Sequence, residues 1–247
     1  MPILNDSNMN AHKVAGSSYG FSAKRIEHLG ASEYTLVSIA ADVSGSVSVF
    51  KREIEKCVKE IVRACRHSPR ADNLMMRFTT FDSNVTEVHG FRPLNECDED
   101  KYEGTIRIGG MTALYDATHN AVVSATTYGK DLTDHDFDVN SIAFVITDGG
   151  DNASVLTVKD LNKALARAVT SEAVESMVSI LVGVNVADPT LSQYLEDLKD
   201  EAGFSQYVEL SDAKEKTLAK LATFVSRSIS AQSQALGSGA ATAALTF

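Results

Sequence analysis

Residues 34–46 read YTLVSIAADVSGS, and this stretch decides the fold. Tyr34–Ala41 is a run of apolar and β-branched side chains, long enough for a buried strand and too short for a core helix. It breaks at Asp42-Val43-Ser44-Gly45-Ser46, a D-x-S-x-S arrangement that puts three oxygen-bearing side chains on one turn. Beyond the turn, Val47, Phe50, Ile54, Cys57, Val58, Ile61 and Cys65 recur at three- and four-residue spacing with charged residues between them. That period predicts an amphipathic helix ending at His67-Ser68-Pro69.

The alternation continues outward. Leu74–Phe81 and Val85–Gly90 read as strands joined by Asp82-Ser83-Asn84, short enough for an antiparallel hairpin. Helices are predicted over Thr112–Tyr128, Val158–Val169, Pro189–Glu201 and Ala213–Arg227, and strands over Ser141–Thr147, Met177–Val184 and Tyr207–Leu210. This order predicts a doubly wound, Rossmann-like α/β domain of three layers: a mostly parallel six-stranded sheet with one antiparallel edge strand and helices on both faces. Residues 32–228 hold it. Residues 1–31 read as a loosely docked arm, with room in FSAKRIEHLG for a turn or two of helix, and residues 229–247, small and polar, as a flexible tail.

In such sheets ligands bind beyond the carboxyl ends of the strands, where the strand order reverses. With the common order 3-2-1-4-5-6, the first and fourth strands are neighbours at that point. The first ends in Asp42–Ser46 and the fourth in Asp148-Gly149-Gly150-Asp151-Asn152, while Gly109-Gly110-Met111-Thr112 opens the second helix with Thr112 at the N-cap. Asp42, Ser44, Ser46, Thr112 and Asp148 then converge on one pocket. Two carboxylates and three hydroxyls suit a hard divalent cation, Mg²⁺ or Mn²⁺ with retained water in preference to Ca²⁺, which takes roughly six to eight oxygens. Zinc is disfavoured because no His or Cys joins the set. Two carboxylates balance a divalent charge and hydroxyls are weak donors, so the cation stays electrophilic and open to a carboxylate from another molecule.

DVSGS, GGMTALYDA and VITDGGDNAS resemble the three loops of the metal-ion-dependent adhesion site of von Willebrand factor type A domains, in the same chain order and over roughly residues 32–228. The resemblance implies Ser44, Ser46 and Thr112 as direct ligands, with Asp42 and Asp148 acting directly or through water. Gly150 departs from the pattern, since relatives often carry an acidic residue before Asp-Asn, but the five ligand positions are intact. It further implies a non-enzymatic protein-interaction module that binds a partner's Asp or Glu through the cation. Stand-alone relatives occur in bacteria and their phages, some in stress-response and tellurium-resistance systems.

Charge narrows the function classes. The chain has 247 residues, with Lys plus Arg 23 against Asp plus Glu 33 and a net charge of -10. Residues 82–151 hold 14 of the acids and 4 of the bases, so the whole excess lies there and the remainder balances at 19 against 19. Such a chain has no basic surface for nucleic acid and no polybasic membrane anchor. Its three cysteines, Cys57, Cys65 and Cys97, form no CxxC and no disulfide framework, and no secretory leader or apolar membrane span is visible, which together predict a cytoplasmic protein. The acidic segment is expected to concentrate cations at the site and to repel acidic partners until metal is bound.

Blander readings account for less. N-capping explains one of Asp42, Ser44 and Ser46 and leaves two over. Asp116 reads as a residue bracing the loops, and Asp151 and Asn152 as turn formers. Cys57 and Cys65 fall on the apolar stripe of their helix, and His89, His119 and His135 lack metal spacing. The acidic block Glu96–Glu103 reads as solvated surface. Two other function classes remain open: a Mg²⁺-assisted phosphoryl or ester hydrolase, which needs a base although the three loops hold no His, and a structural assembly subunit with a vestigial site.

Overall fold

The computed structural model describes residues 8–235 except 15, 103, 105, 185, 187 and 213, together with Phe247. Its strands are β1 (Met9–Lys13), β2 (Gly20–Lys24), β3 (Glu33–Asp42), β4 (Leu74–Phe81), β5 (Val85–Pro93), β6 (Asp138–Thr147), β7 (Ser176–Val184) and β8 (Gln206–Leu210). Its helices are α1 (Lys51–Arg66), α2 (Leu114–Thr133), α3 (Val158–Thr170), α4 (Pro189–Ala202) and α5 (Glu215–Ala235). The strands form one sheet in the order β1-β2-β5-β4-β3-β6-β7-β8. The mixed α/β class and the 3-2-1-4-5-6 order of the predicted strands are therefore present, with β4 and β5 antiparallel and the pairs from β4 through β8 parallel.

The central strands explain their own composition. Val37, Ile39 and Ala41 of β3 face one core with α1 and α5, while Leu36 and Ala40 face the other with α2, α3 and α4. A strand covered on both faces has no polar side to show, hence the unbroken YTLVSIAA. Cys57, Cys65 and Cys97 are free and buried, as core residues. Among the described residues no helix is long and apolar enough to cross a membrane.

Two expectations need correction. The sheet has eight strands, not six, and β5 is not its edge, because the N-terminal arm is built into it. β2 joins β5 in parallel at Ala23 and Phe91, and β1 folds back on β2 antiparallel. Within FSAKRIEHLG the first residues are strand, and only Ile26–His28 make a single 3-10 turn. Side chains hold the arm: the Tyr128 hydroxyl of α2 donates to the Lys24 carbonyl (2.8 Å), and Glu87 accepts from both the Ser22 amide (3.0 Å) and its hydroxyl (2.7 Å). The Phe21 ring meets Phe91 edge-on at 6.2 Å.

At the other end, α5 runs through to Ala235 although residues 229 onward read as tail. Few bulky side chains hold it there; polar contacts do. Asn140 Nδ2 donates to the Gln232 carbonyl (2.6 Å) and Ser176 Oγ bonds both Asn140 and the Gln232 side chain. Residues 1–7 and 236–246, and the predicted helix start at 213, lie outside the described residues.

Gly90 marks where the arm docks. A Cβ there would lie 2.0 Å from the Ser22 carbonyl oxygen, so Gly90→Ala must push β2 off β5. The expected cost is about 1–3 kcal/mol by urea unfolding, with faster proteolysis between β1 and β2. Wild-type stability and proteolysis would show that β2 does not need this approach.

Candidate metal centre

Asp42 is the last residue of β3, and Asp148 follows the last residue of β6. The two strands are hydrogen-bonded neighbours in register from Glu33 and Asp138 to Ala41 and Ile146, so both carboxylates emerge at one end of the sheet's centre. Between them runs a chain of polar bonds. Ser44 Oγ and Ser46 Oγ are 3.1 Å apart, and Ser46 Oγ donates to Asp148 Oδ1 at 3.0 Å. Asp42 is buried below, with Oδ1 accepting from the Ser44 amide (2.8 Å) and Oδ2 from the Thr147 hydroxyl (2.7 Å).

Thr112 arrives from the second loop. It does not cap α2, whose N-cap is Ala113 and makes no side-chain cap bond. Its position is fixed by the third loop instead: its amide donates to Asn152 Oδ1 (2.7 Å), and its carbonyl accepts from the amides of Asn152 (2.9 Å) and Ala153 (3.1 Å). The first and second loops are joined by the Gly45 amide donating to the Gly110 carbonyl (3.1 Å). Gly110 has φ +75°, and a Cβ there would crowd the Asp82 and Ser83 side chains, so this turn requires glycine. The structure thus links Ser44, Ser46 and Asp148 through their side chains, joins Asp42 to them through the Ser44 amide, and ties Thr112 to the third loop at Asn152 and Ala153.

Sequence reasoning missed three contributors. Thr147 bonds Asp42, and its neighbouring position opposite Asp42 follows once β3 and β6 are put in register. Asn152 is more than a turn former, because it holds Thr112. Asp151 accepts from the Tyr115 amide (3.2 Å), tying α2 to the third loop. Asp116 braces that loop too, accepting from the amides of Val155 (3.2 Å) and Leu156 (3.0 Å).

Helix capping separates this site from ordinary turns. α3 starts with a capping box between Thr157 and Asp160, and α4 with Asp188 accepting from the Thr190 amide. The 3-10 turn at Gly45–Val49, α1 and α2 have no side-chain cap, so the serine hydroxyls of the first loop are not spent on capping. Burial pushes the Asp42 carboxyl up to about 6, with the Asp148 charge adding to the rise and the Ser44 and Thr147 hydrogen bonds opposing it. Burial likewise raises Asp148. Among the described residues no Lys, Arg or His pairs with either carboxylate, so a divalent cation would supply a counter-charge for the two. Among the described residues no three His, Cys, Asp or Glu are grouped to hold a metal, so any cation here would depend on hydroxyls and water for its remaining ligands.

The acidic segment is only partly at the site. Asp82, Asp116, Asp148 and Asp151 frame the loops, whereas Glu96 pairs with Lys24 (2.7 Å), Asp100 lies 3.4 Å from Lys59 and Glu99 lies 3.9 Å from Arg63. Glu96 and Glu99 thus lean on β2 and α1, while Asp100 stays largely in solvent, as solvated surface.

A three-layer α/β domain with a mostly parallel sheet, and polar loops at the central strand ends, is the architecture of von Willebrand factor type A structures. The chain is similar to a von Willebrand factor type A structure from Catenulispora acidiphila, with TM-score 0.54 and 15% identity over 78% of this chain and 42% of that one. It is also similar to proximal thread matrix protein 1 of the mussel byssus, described with a zinc-occupied MIDAS motif, with TM-score 0.55 and 16% identity over 79% and 46%. The PilB minor pilin of Streptococcus sanguinis gives TM-score 0.56 and 13% identity over 83% and 63%. The chain spans less than two thirds of each of these structures, and at such identities the likeness establishes the fold alone. No protein-family profile and no curated protein sequence matches it.

Proposed function

We propose that this chain is a non-enzymatic, divalent-cation-dependent protein-interaction module that grips an Asp or Glu of a partner protein. The observation that carries the reading is the continuous polar chain Ser44, Ser46, Asp148 over the buried Asp42, at a helix start whose hydroxyls cap nothing. Ser44, Ser46, Thr112, Asp42 and Asp148 would hold the cation, directly or through water. A cation there would supply an electrophilic centre with room for a carboxylate. Asp116 and Asn152 keep the third loop against Thr112, and Thr147 holds the Asp42 carboxylate. The loops carry no His to serve as a general base, which favours binding over hydrolysis.

Mg²⁺ and Mn²⁺ suit the all-oxygen set best, and zinc belongs among the cations tested because the byssus protein is described with it at the corresponding motif. A cation at about a hundred times its Kd stabilises the fold by about 2.7 kcal/mol, which is roughly 5–10 °C in Tm for a domain of this size. That rise should reverse with EDTA and be absent in Asp148→Ala. Pull-downs with and without EDTA then test the interaction. No shift with Mg²⁺, Mn²⁺ or Zn²⁺ in the wild type would sink the proposal, and Mg²⁺-dependent phosphoester turnover lost in Asp148→Ala would replace it with a hydrolase.

A further inference from the structure

Among the described residues up to 235, four large apolar side chains are exposed: Val49 (76%), Met111 (55%), Val155 (89%) and Val169 (62%). Three of them sit one on each of the three site loops. Val49 ends the 3-10 turn that starts beside Ser44, Met111 precedes Thr112, and Val155 follows the Asn152-Ala153 pair bonded to Thr112. The loops are tied to each other by the Gly45 to Gly110 bond and the Asn152 and Ala153 to Thr112 bonds, so the three residues stand on adjoining loops around the site. A single exposed Val or Met is ordinary on a surface, but one on each of three adjoining loops around a polar centre fits the pattern of a binding surface.

Charge defines the occupant further. Residues 43–50, 82–84, 109–113 and 148–156 contain Asp82, Asp148 and Asp151 and no Lys or Arg. With a divalent cation balancing Asp42 and Asp148, Asp82 and Asp151 leave the second and third loops negative, while Lys51 and Arg52 follow directly on the first. From these features we infer that the partner presents one acidic residue flanked by large apolar side chains, with Lys or Arg just outside them. Val49, Met111 and Val155 receive the apolar flanks, and Asp82 and Asp151 favour the basic ones. This rests on the metal-dependent reading above and names the partner's chemistry.

The test uses the full chain, the cation giving the largest thermal shift, and three short synthetic peptides with Lys at both ends. One has a central Asp flanked by Leu and Ile, one the same Asp flanked by Ser, and one the apolar flanks around a central Asn. The first should bind at least about tenfold tighter than either of the others, since burying even part of two or three aliphatic side chains is worth that ratio. The triple variant Val49→Ser, Met111→Ser, Val155→Ser should cut its preference over the Ser-flanked peptide below about threefold and leave the metal shift unchanged, because more than half of each residue is exposed and none of the three would hold the cation. Equal binding of the two Asp peptides, or no binding of either, with the metal shift intact, would overturn the inference and spare the metal site. Binding that survives EDTA or the Asn centre would overturn it as well, because the rim would then act without the cation. Absence of any metal shift strikes the metal-dependent reading itself, and the inference with it.

Discussion

Glu87→Ala should lower the unfolding free energy by about 3–5 kcal/mol, the penalty of leaving a buried charge without its partner. Arg77 of β4 is fully buried, and its Nε donates to Glu87 at 2.8 Å while Nη1 donates to the Ser124 hydroxyl at 3.0 Å. Removing the carboxylate strands the guanidinium between β4 and α2, where burial already pulls its pKa down and the Glu87 charge is what holds it up. The same substitution releases Ser22, so β1 and β2 should become the first part of the molecule cut by protease. Urea denaturation measures the first effect and timed proteolysis the second. The double variant Arg77→Met, Glu87→Leu should recover much of the loss, because it removes both charges and keeps the volume. A Glu87→Ala loss below about 1 kcal/mol would mean that water reaches Arg77.

Asp42→Asn should act in the opposite direction on the metal-free protein. The folded pKa of about 6 stands above the value near 3.8 of an unperturbed carboxyl, so folding favours the protonated form. Its contribution is present in full below about pH 3.8 and is lost as pH rises through about 6; the difference amounts to about 3 kcal/mol at most. Asn is neutral throughout and avoids that loss. Thr147 Oγ1 also lies 3.0 Å from the Gly149 carbonyl, so its hydroxyl has another acceptor when it no longer donates to Asp42. In EDTA, the variant should be more stable than wild type at pH 7.5 and equal to it near pH 4, and it should show no response to Mg²⁺. A variant less stable than wild type at pH 7.5 would show that the Asp42 charge is already compensated without metal.

What could be read from the chain follows from what each segment packs against. β3 and β6 are covered on both faces and therefore announce themselves as apolar runs, and α1 shows its stripe because only one side is buried. The arm gave no such signal. β1, MNAHK, is half-exposed and polar, and β2, GFSAK, has no β-branched residue; both are strands because β5 offers a free edge and Phe91 and Tyr128 offer aromatic surface. The last turns of α5 were hidden for a related reason, since Ser228 and Gln232 are buried through specific hydrogen bonds, which composition does not report. The site's loops were legible as motifs. Apart from Asp116, their bracing was not, because Thr147, Asn152 and Asp151 act across the sequence on residues that only the fold brings near.

The place of the site in the sheet has a mechanical consequence. Asp42 and Asp148 end two adjacent central strands that share nine registered pairs. A partner pulling on this end would load β3 and β6 along their own axes, so the ladders that anchor them to β4 and β7 would be sheared together instead of peeled one bond at a time. The outermost strands, which part most easily, lie off that line of force. A tether attached here would draw on the most resistant part of the molecule.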